Sequence, residues 1–229
     1  MIDRKNLLFL ISISFLIFGS KWFSSYYLYT ESISTRIIFE SVTDGYHYFP
    51  LVKYLSIFDF NNSFSPYYEK LENIMLPFYS IFVHSFFYKI IGNLSFIFVE
   101  FCSIFLFLLI LYKIFNHYYS KEISILFAII FFIIPIFFSI FPITDFSYLR
   151  LIKDDIYTLR FPRPLITSIY LFLFIYFIIS VDKIEFFTKK NSFILGALLA
   201  LTLSSFYYFF FLQVSTLILY IIYRYKYSF

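Results

Sequence analysis

Uninterrupted apolar runs recur along this chain, and they constrain its fold more than any other feature. They occupy residues 94–112, 123–142 and 164–181, and a longer run occupies 193–223. A helix needs about 20 residues to cross the roughly 30 Å hydrocarbon core of a bilayer. The chain is 61% hydrophobic and only 14% charged, which is more apolar than a soluble domain of this size can bury. The sequence therefore predicts an all-α polytopic membrane protein.

The first apolar segment could be a signal peptide, and the last is too long for a single membrane helix. The N-terminal run follows basic residues, as in a signal peptide, but the "FGSKWF" after it lacks a small-x-small cleavage motif. We therefore predict an uncleaved helix from about Leu7 into the low twenties. The stretch 193–223 would measure about 46 Å as one helix at ~1.5 Å per residue, too long for one crossing. A break near "SSFYY", Ser204 to Tyr208, would divide it into two short helices.

The segment 74–91, "IMLPFYSIFVHSFFYKII", is long enough to span a bilayer but carries a polar stripe. Ser80, His84 and Tyr88 repeat every four residues, and Lys89 lies beside them. A polar stripe on an otherwise apolar helix is typical of a helix that lies in the membrane interface. We therefore predict an interfacial helix here, with a spanning helix as the alternative.

The distribution of basic residues favours the interfacial alternative through the positive-inside rule. If 74–91 lies flat, the cytoplasmic segments carry nine basic residues, which are Arg4, Lys5, Lys113, Lys121, Lys183, Lys189, Lys190, Arg224 and Lys226. The two longer outer loops, 24–73 and 143–163, then carry seven. If 74–91 spans, the basic residues divide almost evenly. We expect about six spanning helices plus one interfacial helix, with both termini cytoplasmic and 1–229 forming one membrane domain.

The first outer loop holds a candidate catalytic pair within "ESVTDGYHYFP". Glu40 and Asp44 are four residues apart, so a helix would place them on one face, and Gly45 permits a turn after them. A carboxylate at the membrane surface can act as a base or can orient a nucleophile. The alternative is two solvated loop acids.

The second outer loop combines acids with cations. Asp154 and Asp155 are adjacent carboxylates, which suit Mg²⁺ or Mn²⁺ near a phosphate; the alternative is a solvated pair. The cations that flank them are Arg150, Lys153, Arg160 and Arg163. Arginine binds phosphate oxygens bidentately, so these residues predict contacts to an anionic headgroup or phosphorylated substrate. Salt bridges to the nearby aspartates are the alternative.

Isolated polar residues give weaker signals. His84, on the predicted interfacial helix, suits a lipid headgroup or proton transfer, or serves as a polar anchor. Glu100 lies six residues into the run 94–112, where a carboxylate is a functional candidate. The single cysteine, Cys102, provides no disulfide framework, and no motif indicates nucleic-acid binding.

The order of these features resembles the N-terminal half of the polyprenyl-phosphate-dependent, GT-C type glycosyltransferases. The matching pieces are "TDGYHYFP", "LENIMLPFYSIFVHSFFYKIIG", the segment 94–142, "DDIYTLRFPRPLITSIYLFL" and "LGALLALTLSSFYYFFF". The resemblance covers most of the chain and depends on layout more than on short motifs. It implies that Asp44 is the first-loop acid, that Asp154 or Asp155 is a second-loop acid, and that Arg160 and Arg163 contact phosphate.

The resemblance also implies a function and a location. We expect a multi-pass protein of the bacterial plasma membrane that transfers a sugar from a polyprenyl-phosphate donor to an acceptor on the outer face. Glu40 would act with Asp44 in catalysis, and Tyr46 in the aromatic first loop would contact the substrate, with membrane lipids around the donor. The Asp154–Asp155 pair departs from the family's D-x-D or D-x-E pattern. The chain also ends after the sixth predicted helix, so we expect the N-terminal part of a longer protein.

Two other function classes stay open. A transporter or flippase component would use ionisable residues and broken helices within the membrane, and Glu100, Gln213 and the break near Ser204 are its candidates. A non-catalytic membrane subunit would need none of the acids in the outer loops.

Overall fold

The computed structural model describes residues 3–28, 45–58, 63–65, 68–72, 78–140, 165–181 and 188–225. This part of the chain contains eight helices, α1 (Arg4–Leu28), α2 (Gly45–Ser56), α3 (Phe78–Ile91), α4 (Leu94–Phe115), α5 (Lys121–Ile140), α6 (Leu165–Ser180), α7 (Lys189–Leu203) and α8 (Tyr207–Tyr225). Two short antiparallel strands lie between α2 and α3, β1 (Ser63–Ser65) and β2 (Tyr68–Glu72). The predicted all-α fold is confirmed for these residues, apart from the small ribbon.

Ring contacts establish the direction of α5 relative to α4. The ring centroid of Phe107 in α4 lies 5.8 Å from that of Phe132 in α5. Further along α4, the ring of Phe115 lies 5.7 Å from that of Phe127, which comes earlier in α5. The two helices are therefore antiparallel, as expected of consecutive helices joined by a short turn.

Helix α6 runs parallel to α4. The rings of Phe107 and Phe172 lie 5.1 Å apart between centroids. Further along both helices, Nζ of Lys113 lies 5.5 Å from the ring centroid of Tyr176. The beginnings of α4 and α6 therefore lie at the same end of the bundle.

Helix α1 runs antiparallel to α4. The rings of Phe18 and Phe101, late in α1 and early in α4, lie 5.7 Å apart between centroids. Leu10, earlier in α1, belongs to the main buried cluster with Leu108 and Leu111, which come later in α4. Four elements of the described chain, α2, β1, β2 and α3, lie between α1 and α4 in sequence, and α1 and α4 nevertheless run in opposite directions.

Helices α7 and α8 form a hairpin that packs against α6. Leu195 and Leu199 of α7 and Leu217 of α8 all pack around Phe174 and Ile178 of α6. One continuous helix could not bring its residues 199 and 217 to the same place, because they would be about 27 Å apart at ~1.5 Å per residue. The predicted break is confirmed, since α7 ends at Leu203 and α8 begins at Tyr207.

Helix α2 and the ribbon lie within the stretch predicted as the first outer loop. Val52 and Leu55 of α2 are buried against Ile81 of α3 and Phe96 of α4. A short amphipathic helix of this kind is stable because its apolar face is covered by the larger bundle. The stretch predicted as the first outer loop therefore contains a helix that packs beside the beginning of α4.

The polar stripe of α3 faces the protein. Ser80, His84 and Ser85 are buried, whereas Phe86 and Ile90 on the same helix are exposed. A helix in the interface is expected to turn its polar stripe towards water, so this orientation differs from the expected one. Helix α2 and the beginning of α4 cover this side of α3, which the spacing of the stripe alone does not reveal.

Helix α4 has the length and the apolar composition needed to cross a bilayer, over Leu94–Phe115. Among the described residues it is the one helix that meets both criteria. Phe78–Ile91, Leu165–Ser180 and Tyr207–Tyr223 are apolar but shorter. The structure thus has one helix suited to a membrane crossing, and the larger number expected from the sequence stays a prediction.

Candidate functional site

Most of the predicted site residues lie outside the described part of the chain. These are Glu40, Asp44, Arg150, Asp154, Asp155, Arg160 and Arg163. Tyr46 belongs to α2, but its side chain is outside the described part. His84 is the one predicted site residue whose side chain the structure describes.

The flanking elements of both predicted acidic segments lie at one end of the bundle. Helix α2 begins at Gly45, which follows Asp44 in sequence, and α6 begins at Leu165, two residues after Arg163. Because α6 runs parallel to α4, Leu165 lies at the end where α4 begins. Helix α2 packs against Phe96, near that same beginning. The packed part of α2 and the beginning of α6 therefore lie towards the same end of the bundle.

His84 occupies the protein-facing side of α3. Its side chain is 4% exposed, and its ring stacks on Phe96 at 5.8 Å between centroids with an interplanar angle of 26°. Burial lowers the pKa of His84 well below its usual value because the charged imidazolium loses its hydration. A neutral imidazole in this position is a hydrogen-bonding group rather than a surface cation. The four-residue period of the stripe identified this position.

An apolar groove lies between α1, the end of α3 and the first turns of α4. Its volume is about 380 Å³, within the range of roughly 300–1,000 Å³ found for small-molecule sites. Phe15 and Phe18 form one wall, and Leu94, Phe98 and Phe101 form the other. This groove was not predicted from the sequence. The spacing of its residues, three apart on α1 and three or four apart on α4, does place the residues of each helix on one face of that helix.

A cation and an aromatic ring meet where α2 and α3 end. Nζ of Lys89 lies 4.6 Å from the ring centroid of Phe58, a distance suited to a cation–π interaction. Phe58 has a φ of 58°, a left-handed conformation that is strained for a residue with a bulky side chain. Both side chains are exposed, so the lysine ammonium remains accessible.

The predicted metal ligands, Asp154 and Asp155, lie outside the described residues. Within the described residues no group of three or more His, Cys, Asp or Glu side chains is arranged to hold a metal ion. Mg²⁺ or Mn²⁺ therefore stays a prediction from the sequence of the second loop.

The chain was compared with family models, with curated proteins and with solved structures. None of the three comparisons finds a match. The similarity to GT-C type glycosyltransferases therefore depends on the residues and on the order of the elements alone.

Proposed function

We propose that this chain is a membrane glycosyltransferase, or the N-terminal module of one. It would transfer a sugar from a polyprenyl-phosphate donor to an acceptor on the extracytoplasmic face of a bacterial plasma membrane. The observation that carries the proposal is that Val52 and Leu55 of α2 and the beginning of α6 lie towards the end of the bundle where α4 begins. Helix α2 follows Asp44 in sequence and α6 follows Arg163, so a site shared by the two segments needs no long-range rearrangement.

The direction of the helices supports the same arrangement. Because α1 and α4 are antiparallel, the chain between them makes no net crossing of the bundle. This supports α3 as an interfacial helix, with α1, α4, α5, α6, α7 and α8 as the six crossings. Both loops then face one compartment. The basic segments face the other, as the positive-inside rule favours.

The proposed chemistry divides the site between the two loops. The carboxylate of Asp44, with Glu40 beside it, accepts the proton of the acceptor nucleophile as its oxygen or nitrogen attacks the anomeric carbon. The bond between that carbon and the donor phosphate oxygen breaks, and the phosphate keeps the electron pair. Arg150, Arg160 and Arg163 stabilise the charge on the departing phosphate.

Three further groups complete the proposed site. Asp154 and Asp155 would hold Mg²⁺ or Mn²⁺, which supplies additional charge stabilisation at the phosphate when bound. The Tyr46 ring would contact the sugar. His84, buried against Phe96, would hold α3 in place as a neutral hydrogen-bonding group. A polyprenyl donor stays in the bilayer, so the site must lie beside a membrane helix such as α4.

A transfer assay with labelled lipid-linked sugar tests the proposal. Asp44→Asn removes the proton acceptor but keeps the size of the side chain, and we expect turnover to fall by a factor of about 10²–10⁴. The matched control is Glu122→Gln, which neutralises an acid in the first turn of α5, at the opposite end of the bundle. Wild-type turnover in Asp44→Asn, with normal membrane insertion, would reject the assigned role.

Transport is the second candidate, because a large polar side chain is buried where α8 packs against α6. Gln213 is fully buried in α8, and its Oε1 atom has no hydrogen-bond partner among the described residues. A transporter site is expected to combine several such groups. Loss of substrate flux in Gln213→Leu, with transfer activity absent from the wild type, would favour this class.

A further inference from the structure

We propose that Glu100 is a further substrate-binding residue of the proposed site, where its carboxylate accepts hydrogen bonds from hydroxyl groups of the donor sugar. This inference rests on the proposed function and deepens it, because it adds a contact that determines which sugar is accepted. Three features of Glu100 support it, namely its face on α4, its level along the bundle and its charge.

Glu100 lies in the middle of the buried face of α4, yet its own side chain is only half-buried. Phe96 and Ile104, one turn before and one turn after it, are 5% and 0% exposed. Phe107, two turns after it, is 1% exposed. Residues at these spacings share one face of a helix. The covering of this face is therefore incomplete at the carboxylate.

The opening at Glu100 separates two hydrophobic clusters. Phe96 belongs to the cluster formed by α2, α3 and the beginning of α4. Ile104 belongs to the main cluster formed by α1, α4, α5 and α6. Glu100 thus lies where the packing of α2 and α3 on α4 ends and the core of the larger bundle begins. A hydrocarbon side chain here could join the two clusters, whereas a carboxylate keeps a polar gap between them.

Glu100 lies level with the beginning of α6. The ring centroids of Phe107 and Phe172 are 5.1 Å apart, and α4 and α6 run parallel. Glu100 precedes Phe107 by seven residues and Leu165 precedes Phe172 by seven, so each lies about 10 Å from the ring pair at ~1.5 Å per residue. Arg163 comes two residues before Leu165. The carboxylate is therefore level with the point where the second candidate segment joins the bundle.

The charge of Glu100 selects the part of the donor that it can bind. An ionised carboxylate only accepts hydrogen bonds, so sugar hydroxyl groups are complementary to it. The donor phosphate has the same sign of charge and is repelled, which leaves the phosphate to the arginines of the second loop. A site that binds a hydroxyl group in this way discriminates strongly against a ligand that lacks it. Glu100 is therefore suited to determine sugar specificity.

Binding of farnesyl-phosphate sugars to the purified protein tests the inference. The probes are the glucose, galactose, mannose and N-acetylglucosamine esters of farnesyl phosphate, together with farnesyl phosphate itself, which has no sugar. Calorimetry in detergent measures each Kd. We expect Glu100→Gln to raise the Kd of the best-binding sugar probe about tenfold, because a hydrogen bond to a charged group is lost. The Kd of farnesyl phosphate should not rise.

Two further variants separate a sugar contact from a role in the fold. Glu100→Asp keeps the charge on a shorter side chain and should recover part of the lost affinity. Glu122→Gln removes an acid from the first turn of α5, at the opposite end of the bundle, and should change neither Kd. A purely structural role, such as an ion pair within the protein, would raise the Kd of farnesyl phosphate and of the sugar probe together.

Thiol labelling tests the opening itself and needs no knowledge of the sugar. In a Cys102→Ser background, Glu100→Cys should react with a charged, water-soluble methanethiosulfonate, and the best-binding sugar probe should slow the reaction. Ile104→Cys is the matched control, since Ile104 lies one turn further along α4 and is 0% exposed, and it should stay unmodified. Circular dichroism checks that both variants are folded.

Four results would overturn the inference. They are an unchanged Kd of the best sugar probe in Glu100→Gln, an equal rise for farnesyl phosphate, no binding of any sugar probe by the wild type, and no thiol labelling in Glu100→Cys. Failure of the transfer assay with the sugar contact intact would reject the proposed function alone. Transfer with an unaltered KM in Glu100→Gln would reject this inference and leave the function standing.

Discussion

Nε2 of Gln213 in α8 donates to the main-chain carbonyl oxygen of Tyr170 in α6 over 3.4 Å. Nearer the other end of the same two helices, Oη of Tyr220 donates to the carbonyl oxygen of Ile178 over 3.1 Å. The two bonds hold α8 parallel to α6 and in register with it. The two side chains differ in one respect. The other polar atom of Gln213, Oε1, is buried without a hydrogen-bond partner among the described residues.

Replacement of Gln213 by leucine is expected to stabilise the protein. A buried acceptor without a partner costs about 1–3 kcal/mol, more than a hydrogen bond of this length contributes. We expect Gln213→Leu to raise the free energy of unfolding by about 1 kcal/mol, measured by denaturant titration in detergent. Tyr220→Phe is the comparison and should lower it by about 0.6 kcal/mol, a typical value for a bond between membrane helices. A loss of stability in Gln213→Leu would mean that Oε1 has a partner in the native protein.

The ring of Phe107 is expected to be the most sensitive position of the main core. It is 1% exposed and contacts Phe132 and Phe172 on two different helices. In a water-soluble core Phe→Ala costs about 3–5 kcal/mol. In the membrane bundle that we propose, the expected cost is about 2 kcal/mol, because lipid is as apolar as the core and mainly the packing is lost. Phe86→Ala, on an exposed face of α3, serves as the control and should change the free energy of unfolding by less than about 0.5 kcal/mol.

Buried His84 is expected to make stability depend on pH. Burial lowers the pKa of His84, so the unfolded chain takes up a proton near pH ~6.5 whereas the folded protein does not. Above this pH both states are neutral and the full stability is present. As the pH falls below it, the free energy of unfolding should decrease until the lowered pKa of the folded state is reached. Unfolding titrations between pH 7.5 and 5.5 measure the slope.

A matched pair of variants assigns that slope to one residue. His84→Gln should remove it, because glutamine does not titrate. His117→Gln should preserve it, since His117 is exposed in the turn after α4. An equal slope in the wild type and in His84→Gln would contradict the assignment.

Most helix boundaries and the break between α7 and α8 followed from the sequence, because both depend on the distribution of apolar residues along the chain. Helix α1 (Arg4–Leu28) is longer at both ends than the predicted segment. The run 94–112 became α4 (Leu94–Phe115), and the excess length of 193–223 required the break at Ser204. The burial of His84 could not be predicted in the same way. The four-residue period of the stripe indicates a polar face. Whether water or protein covers that face depends on α2, which forms within a polar stretch of the sequence and was not predicted.

Helix α2 was missed for a related reason. It has 12 residues, lies among Tyr, Ser and Asn residues, and depends on Val52 and Leu55 packing against Ile81. A short helix is stabilised mainly by such tertiary contacts and little by its own propensity. The candidate acids on the two loops were chosen by residue type, and their convergence stays a prediction.

The last prediction concerns the strained backbone of Phe58. Its φ of 58° is the one positive value found for a non-glycine residue in the described chain, and this conformation costs about 1–2 kcal/mol. Asparagine adopts it more readily, but Phe58→Asn also loses the contact with Lys89, about 0.5–1 kcal/mol. We expect a net gain of about 0.5 kcal/mol, seen as slower hydrogen exchange in the last turn of α2. Phe86→Asn, inside helix α3, should give no gain. Faster exchange in Phe58→Asn would show that the contact with Lys89 outweighs the strain.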